Sequence, residues 1–371
     1  MKTIRDAIHE NIELSDAEIA VIDAPQMQRL RYVKQLSLAY LVYPSAHHTR
    51  FEHSLGTLHL TKMLSERLFS DPTDRQLLCL SALLHDVGHS AFSHLPEPII
   101  FEITGKNHEK IGEEKIASGE IAKALEKNGI SPKELLKSHR SAKEKIISSE
   151  LGTDRMDYLL RDAYFTGVGY SLIDAQRLLY SLRFENGDLK LMEKGLIAAE
   201  SLLVSRYLMF NAVYNHHAVR IATGMLENAL RIGIDKGKIE VADLTEGTDE
   251  LVLNKLRSLP LAQKILSRNL YKAAFELPRF FYKEGEEAAK KKIERELLKE
   301  LDFSEFVVCM PKQPMGEIGI DVVSENGNSS PFFSKSPISE AVSKERKASG
   351  LIVAADKKDV VKAERICRKL F

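Results

Sequence analysis

Residues 77–89 read LLCLSALLHDVGH, and they carry the strongest structural signal in the chain. The apolar run predicts the buried face of a helix. It ends in two polar residues, His85 and Asp86. Burying an imidazole and a carboxylate is costly unless something pairs with them, and a metal ion suits both side chains. The stretch therefore predicts a helical core with a metal site at the end of one helix.

Two further candidate ligands lie elsewhere in the chain. His53 stands in the segment RFEHS (residues 50–54), and Asp154 stands in GTDRMDY (residues 152–158). With His85 and Asp86 they provide two imidazoles and two carboxylates. That set suits one divalent cation, with positions left open for water and substrate. Mixed nitrogen and oxygen ligation favours Mn, Fe, Co, Ni or Zn over Mg.

The composition is that of a globular protein without a bulk charge. Of 371 residues, 44% are hydrophobic and 29% are charged, which is ample for a core. The length allows one large domain or two to three ordinary ones. The 53 acidic and 53 basic residues cancel. No field therefore draws the chain to nucleic acid or to an anionic membrane, and neither is an expected partner.

Cysteine usage and hydropathy predict a cytoplasmic protein. The three cysteines are far apart and show no CxxC spacing: Cys79, Cys309 and Cys367. They indicate reduced thiols rather than a disulfide framework or a structural zinc site. The polar first fifteen residues do not form a signal peptide. The apolar stretch 195–214 contains Glu200 and Arg206, so it predicts a buried amphipathic helix rather than a membrane span.

Residues 1–275 are predicted to form one helical domain. Residues 50–69 carry apolar side chains at helical spacing. Asp74 is the predicted N-cap of a helix over 75–87, which Gly88 can end. The stretch 142–147 is interpreted as part of a surface helical insert. Further helices are predicted at 108–117, 119–128, 132–151, 154–165, 171–182, 195–231 and 259–274, with 195–231 either continuous or broken.

Residues 276–371 are predicted to form a small α+β region. The segment 284–300 carries Lys and Glu at i,i+4 spacing, which is typical of a solvated helix. Short β-like runs follow at 306–310, 318–323 and 351–355, separated by turn residues, and a helix over 358–370 ends the chain. The predicted fold class is mainly α, a helical bundle with a C-terminal α+β appendage.

Histidines are concentrated near the predicted metal ligands. Six of the 12 histidines lie between residues 53 and 108. A single histidine on an apolar face is more often a core residue with a hydrogen-bond partner, but this crowding favours a functional site. His59, although within this range, is interpreted as structural, as are His9 and His139.

Two more groups of polar residues have competing interpretations. Asp154, Tyr158 and Asp162 are four apart and share a helix face, which is either a solvated stripe or the wall of a polar pocket. Arg206 and Tyr214 are eight apart on an apolar helix. A buried arginine needs an anion, which is either a phosphate or a core glutamate in a structural ion pair.

The ordered set of His53, His85 with Asp86, and Asp154 resembles the H…HD…D signature of HD-domain phosphohydrolases. Longer strings resemble the deoxynucleoside triphosphate (dNTP) triphosphohydrolases of the SAM-and-HD-domain type. They are DAPQMQRLRYVKQL (23–36), RFEHSLG (50–56), HDVGH with FSH (85–94), HE (108–109) and DRMDYLLRD (154–162). The resemblance is strong over about residues 15–230. It implies a helical HD domain whose metal is held by those four residues.

The resemblance also implies the catalytic groups. His108 would be the catalytic histidine, with Glu97 as its orienting partner at a position where the family often has Asp. His94 is the competitor for that role. Together with Arg50, His89 and His94 would contact the α-phosphate or the oxygens bound to the metal.

Other residues are implied to bind the nucleotide. Gln35 and Asp162 would bind the 3′-hydroxyl, and Leu36 and Tyr214 would crowd the 2′ position and so favour deoxyribose. Tyr158 would line the triphosphate. Arg206 would contact the outer phosphates. His217 would be a further phosphate contact, at a position where the family has a lysine. A regulatory nucleotide site at a subunit interface is implied at Asp23, Gln28 and Arg31.

The resemblance thus predicts a metal-dependent dNTP triphosphohydrolase that releases a deoxynucleoside and inorganic triphosphate. Mg is a potential companion of the nucleotide, an activating nucleotide is a potential second ligand, and a homodimer or homotetramer is expected. Two alternatives stay open at this stage. The first is an HD phosphohydrolase for a ribonucleotide, a cyclic dinucleotide or a guanosine alarmone. The second is a catalytically silent nucleotide-binding regulator.

Overall fold

The computed structural model describes residues 2–171, 173–280, 286–310, 319–345 and 349–371. The expected mainly α fold class with a C-terminal α+β region is confirmed. The described helices are α1 (Asp16–Ile22), α2 (Pro25–Arg29), α3 (Arg50–Leu68), α4 (Pro72–Leu84), α5 (Glu97–Thr104), α6 (His108–Ala117), α7 (Gly119–Lys127), α8 (Pro132–His139), α9 (Lys145–Ser148), α10 (Thr153–Thr166), α11 (Ala175–Ser181), α12 (Leu196–Met209), α13 (His217–Asp235), α14 (Val241–Glu246), α15 (Asp249–Leu256), α16 (Pro260–Leu266), α17 (Glu286–Leu297), α18 (Phe332–Lys335), α19 (Pro337–Glu345) and α20 (Val360–Leu370).

The described strands form three small sheets. They are β1 (Lys2–Asp6), β2 (Glu10–Leu14), β3 (Leu182–Glu185), β4 (Asp188–Met192), β5 (Lys272–Phe280), β6 (Phe306–Cys309), β7 (Asp321–Val323), β8 (Ser329–Pro331) and β9 (Ser349–Ala355). β1 and β2 form an antiparallel hairpin, and the other sheets have the strand orders β3-β4-β7-β8 and β5-β9-β6. The hairpin, β3, β4, β5 and β8 were not predicted. The three expected β runs are confirmed as β6, β7 and β9. Residues 172, 284, 285 and 318 of the predicted elements lie outside the described residues.

The helix that ends at the predicted metal ligands differs from the prediction at both ends. α4 begins at Pro72, and its N-cap is Asp71, whose carboxylate accepts a hydrogen bond from the Thr73 N–H at 2.9 Å. The expected cap at Asp74 is wrong because a proline preceded by Asp already starts the helix. α4 ends at Leu84, so His85 and Asp86 lie beyond it. Gly88 does not end the helix; it lets the chain approach α6, where an added Cβ would overlap the backbone of His108 and Gly112.

Three predicted helices are interrupted or shorter. The stretch 132–151 splits into α8 and α9, and 259–274 gives way to strand β5 after α16. The stretch 195–231 breaks after a π-helical turn over Phe210–Tyr214. The described segment Glu193–Tyr214, which includes α12 and this turn, is long and apolar enough to cross a membrane. Of its most apolar stretch 44% is buried inside the protein, and Leu202 and Leu203 lie in a core cluster.

Helix α3 lies between two apolar clusters. Leu60 and Leu64 pack with residues of α10, while Phe51 and Leu58 pack with residues of β2 and α1. Each such buried side chain contributes about 1.5–3 kcal/mol relative to exposure. The helix is therefore held on both sides, and His53 on its second turn is fully buried.

Two strands connect the C-terminal region to the rest of the chain. β7 pairs in parallel with β4, and β5 runs across residue 275, where the sequence predicted a domain boundary. The boundary itself stays a prediction. Strand β5 pairs with β9 in an antiparallel register.

Candidate active site

The four predicted metal ligands converge on one point. His53 comes from α3, His85 and Asp86 follow α4, and Asp154 lies in the first turn of α10. The His53 Nε2 lies 3.0 Å from the Asp154 Oδ1 and 3.6 Å from the Asp86 Oδ2. The His85 Nε2 lies 3.4 Å from the Asp86 Oδ1 and 3.7 Å from the Asp154 Oδ1.

The hydrogen bonds of the two imidazoles show that this cluster fits a cation. The Nδ1 of His85 donates to the carbonyl oxygen of Ala82 at 2.7 Å, and the Nδ1 of His53 donates to Asp157 at 2.8 Å. Both Nε2 atoms are buried and make no well-directed hydrogen bond within the described residues. In neutral imidazoles, these atoms therefore turn lone pairs towards carboxylate oxygens. A divalent metal would resolve that repulsion, and it is the expected ligand.

The charges at the cluster lead to the same conclusion. Without a metal, the cluster favours a protonated His53: burial lowers its pKa, but the nearby carboxylates of Asp154 and Asp157 outweigh burial and raise the pKa to about 10. Burial opposes ionisation of Asp154 as well, yet the neighbouring His53 and His85 hold the pKa of its carboxyl below the usual value. In the same way, Arg50 lowers the pKa of Asp86 against burial. An anionic cluster of this kind attracts either protons or a cation.

Arg50 and Asp157 support the ligands from behind. The Arg50 Nη1 donates to the Asp86 Oδ2 at 2.5 Å, and its Nε donates to the Ser93 hydroxyl at 2.9 Å. Asp157 was not singled out from the sequence. Its position three residues after Asp154, and four before Arg161, is a signal that could have identified it.

A second group of histidines adjoins the metal ligands. The ligand atoms of His89, His94 and His108 lie within 4.8 Å of one another. The rings of His89 and His108 stack at a centroid distance of 4.1 Å. The His89 Nε2 lies 3.1 Å from the Asp86 Oδ1, which links this group to the metal ligands. Burial and the nearby Arg50 lower the pKa of His89, so its imidazole is neutral at neutral pH.

Glu97 connects two members of this group. Its Oε1 accepts from the Nδ1 of His108 at 2.6 Å, and its Oε2 lies 3.1 Å from the Nδ1 of His94. Burial opposes the charge, but these hydrogen bonds hold the pKa of the Glu97 carboxyl well below its usual value. Although Glu97 has a longer side chain than the Asp of the family pattern, its carboxylate contacts both imidazoles.

A cavity of about 570 Å³ opens over the metal ligands. Its size is typical of small-molecule sites. It is lined by most of the residues that the sequence assigned to a nucleotide, namely Gln35, Leu36, Arg50, His89, His94, His108, Tyr158, Asp162 and Tyr214. Asp162 is itself held on both oxygens, by the His48 Nε2 at 2.7 Å and by the Tyr214 hydroxyl at 2.6 Å. The sequence analysis did not identify His48, which gives no signal beyond its place beside the segment RFEHS.

Two of the predicted phosphate contacts lie outside this cavity. The Arg206 guanidinium forms an ion pair with Glu150, the structural alternative that the sequence left open. His217 is exposed at the start of α13 and stacks on His216 at 4.5 Å. Neither side chain lines the cavity as the described residues form it.

One wall of the cavity comes from the segment that the sequence treated as a surface insert. Glu144 and Ile147 line the cavity together with His139, Arg140 and Ser148, so the segment 142–147 contributes to the wall of the site. The predicted helix 132–151 is instead two short helices: α8 packs against α6, and α9 packs against α10. Burial lowers the pKa of His139.

A second cavity of about 350 Å³ shares Gln35, Leu36, His94 and Tyr214 with the first. Its other walls come from residues 92–98, α13 and β6, and they include apolar side chains as well as the charged Arg220, Glu227 and Lys290. The Gln35 Oε1 and the Ser37 hydroxyl are buried and have no hydrogen-bond partner among the described residues.

The three residues predicted for a regulatory nucleotide lie together near α2. The Arg31 Nε donates to the Gln28 Oε1 at 2.8 Å, and the Arg31 guanidinium covers the Phe51 ring at 3.6 Å. Asp23 is exposed and caps the end of α1.

The fold and the cluster of His53, His85, Asp86 and Asp154 define a helical protein with a histidine–aspartate group of a composition that could hold a metal. Residues 50–162 match the family model for the HD domain, and residues 173–370 match the model for the HD associated region. The chain belongs to the HD-domain phosphohydrolase family.

Relatives agree with this assignment. The uncharacterized protein MJ1154 of Methanocaldococcus jannaschii is 38% identical over 343 residues, covering 88% of this chain and 73% of the relative. The dNTP triphosphohydrolase SAMHD1 of Gallus gallus is 28% identical over 346 residues, covering 73% of this chain and 56% of that protein. A hypothetical protein from Aquifex aeolicus has the same fold with a TM-score of 0.81, 31% identity and 99% coverage of both chains. The expected resemblance to dNTP triphosphohydrolases is thereby confirmed.

Proposed function

We propose that the protein hydrolyses dNTPs to a deoxynucleoside and inorganic triphosphate. The observation that carries this proposal is that three groups of residues meet at one cavity. They are the proposed metal ligands, the Glu97–His108 pair, and the residues around Asp162 and Tyr214. The first two groups suit phosphoester hydrolysis, and the third suits a sugar. The likeness to SAMHD1 supports the same substrate class.

A divalent metal held by His53, His85, Asp86 and Asp154 would polarise phosphoryl oxygens and supply a water of lowered pKa. The Arg50 guanidinium lines the cavity beside Asp86 and stabilises negative charge on the phosphates. Cleavage next to the 5′-oxygen leaves an alkoxide that needs a proton. The Nδ1–H of His108 is engaged by Glu97, so the Nε2–H of the protonated ring is the group that donates this proton, which leaves the neutral imidazole.

The sugar side of the cavity favours deoxyribose. The Tyr214 hydroxyl donates to Asp162, so the ring is fixed and cannot move aside for a 2′-hydroxyl. Burial and Asp162 both raise the pKa of Tyr214, which therefore stays a donor. We place the base in the second cavity, because Gln35, Leu36 and Tyr214 line both spaces.

The outer phosphates, regulation and assembly belong to the proposal as well. Arg206 would contact the outer phosphates by exchanging Glu150 for the nucleotide, with His217 as a further contact. Asp23, Gln28 and Arg31 would bind a regulatory nucleotide at the interface of a homodimer or homotetramer. The three cysteines are free and buried, in keeping with a cytoplasmic location.

The test is a substrate panel. Purified protein is incubated with each dNTP and each ribonucleotide in the presence of Mn, Co or Mg, with and without a second nucleotide, and tripolyphosphate is measured. We expect tripolyphosphate from dNTPs. The variant His85→Ala should lose both the metal and the activity, whereas His47→Ala, at an exposed ring stacked on Tyr40, should keep both. Wild-type protein with bound metal and no tripolyphosphate from any dNTP would reject the proposal.

A further inference from the structure

The tip of the N-terminal hairpin reaches the residues behind the metal site. Asp6 ends β1, and its Oδ1 accepts from the backbone N–H groups of Ile8 and His9, both at 2.9 Å. The same carboxylate accepts from Arg161 on α10, at 2.8 Å for Oδ2 and 3.2 Å for Oδ1. The turn is therefore fixed both internally and against α10.

Asp157 receives contacts from this hairpin and from the metal site at once. Its Oδ1 lies 2.6 Å from the His9 Nε2, and its Oδ2 lies 2.8 Å from the His53 Nδ1. Arg161 donates to both oxygens at 2.9 Å. Asp157 and Arg161 are fully buried, and the side chains of Asp6 and His9 are only 5% and 7% exposed. These four hydrogen bonds hold the Asp157 carboxylate in a single orientation.

The charges explain why the hairpin matters to His53. Without Asp6, the negative charge of Asp157 would be divided between its two partners, Arg161 and His53. Asp6 supplies a second carboxylate to Arg161, so more of the negative charge of Asp157 acts on the His53 ring. A carboxylate behind a ligating imidazole fixes its tautomer and makes the opposite nitrogen a stronger metal donor.

We propose that Asp6 and His9 are positioning residues that set the metal affinity of the site by holding Asp157 against His53. The effect passes from the hairpin to Asp157, from Asp157 to the His53 Nδ1, and across the ring to the Nε2. This inference rests on metal binding by the four ligands, which is part of the proposed function, and it does not depend on the substrate.

The test measures metal binding directly. Co²⁺ is titrated into metal-free full-length protein, and affinity is read from calorimetry and from the visible absorption of the bound ion. Asp6→Asn and His9→Phe should each weaken binding by roughly tenfold, as other partners behind metal ligands do. The phenyl ring of His9→Phe keeps the stacking on His59, whose ring centroid lies 5.1 Å away, and removes only the hydrogen bond. The control is Asn11→Ala, an exposed hairpin residue whose side chain contacts Arg5.

A merely structural role would lower the melting temperature without changing Co²⁺ affinity or its absorption. The double variant should weaken binding by less than the product of the two single effects, because both act through Asp157. If one variant fails to fold, His9→Gln provides the second measurement. Wild-type binding with unchanged affinity in the folded variants would overturn this inference alone. Wild-type protein that binds no Co²⁺ would overturn both it and the metal-dependent function.

Discussion

Glu97 and His108 are joined twice: the Glu97 Oε1 accepts from the His108 Nδ1 at 2.6 Å and from the His108 backbone N–H at 3.2 Å. The Nδ1 of the ring therefore has a fixed partner, and the ring has a fixed direction. The Asp-to-Glu difference from the family pattern does not break the pair. α5 begins at Glu97 and α6 at His108, so the start of each helix provides one partner.

The variant Glu97→Gln should lower kcat for dNTPs by about 10–100-fold, part of the 10²–10⁴-fold that a positioned acid contributes. The amide cannot stabilise the imidazolium that the carboxylate stabilises. KM and metal content should change little, because Glu97 touches neither the phosphates nor the metal ligands. Steady-state kinetics with parallel metal analysis measure this. A kcat within twofold of the wild-type value would contradict the assignment of His108 as the proton donor.

The variant Tyr214→Ala should raise kcat/KM for ribonucleotides relative to dNTPs, since it opens the space beside the 2′ position. Tyr214→Phe is the matched control: it removes the hydrogen bond to Asp162 but keeps the ring. Competition between a dNTP and the corresponding ribonucleotide gives the ratio directly. Selectivity that stays the same in Tyr214→Ala would show that another residue excludes the 2′-hydroxyl.

The pair of Asp6 and Arg161 predicts a pH-dependent stability. Burial opposes the charge on Asp6, but Arg161 outweighs burial and lowers the pKa of Asp6 in the folded state. A lowered folded pKa contributes stability above the unfolded value of about 3.9, and this contribution is lost as pH falls towards the folded value. Asp6→Asn should therefore be about 1–3 kcal/mol less stable at pH 7.

That difference should shrink as the pH falls below about 4, because Asp6 of the unfolded chain then binds a proton while folded Asp6 stays ionised until the pH reaches its lowered pKa. Urea denaturation of metal-free protein between pH 3 and 7 measures it, because Arg161 stays charged throughout this range. A difference that is independent of pH would show that the ion pair contributes no charge-dependent stability.

The variant Gly56→Ala should be destabilised by about 1–3 kcal/mol, the usual cost of overpacking. An added Cβ at this position of α3 would overlap the Asp157 carboxylate and the Arg161 guanidinium. Gly169→Ala is the control, because an added Cβ there meets nothing within 4 Å. Chemical denaturation compares the two. Equal stability would mean that α10 can move away from α3 without loss.

Much of the site could be predicted because its residues lie next to strong helix signals. α6 has the predicted bounds, His108–Ala117, and the four ligands meet although 101 positions separate the first from the last (154 − 53). The order of His53, His85, Asp86 and Asp154 was sufficient. The apolar pattern predicts that these positions are buried, and burying polar side chains there costs free energy unless they have partners. Polar residues at such positions are therefore candidates for a site.

Contacts between distant segments could not be predicted. His9 and Asp157 are 148 positions apart, and nothing in the short polar strands of the hairpin indicates which helix they meet. The prediction that Arg206 and Tyr214 lie on the same side of one helix is wrong for a local reason. A spacing of eight implies one side of an α-helix, but the π-helical turn over Phe210–Tyr214 adds residues per turn and rotates Tyr214 into the cavity. Arg206 stays outside it.

Strand β5 sets a practical limit on dissecting this molecule. A fragment ending at residue 275 would cut strand β5 between Phe275 and Glu276 and would lack β9 and β6, the other two strands of its sheet. It would also remove Val308 and Cys309, which line the chamber assigned to the base. Catalysis and assembly therefore have to be studied on the intact polypeptide, and insertions or tags belong at its ends.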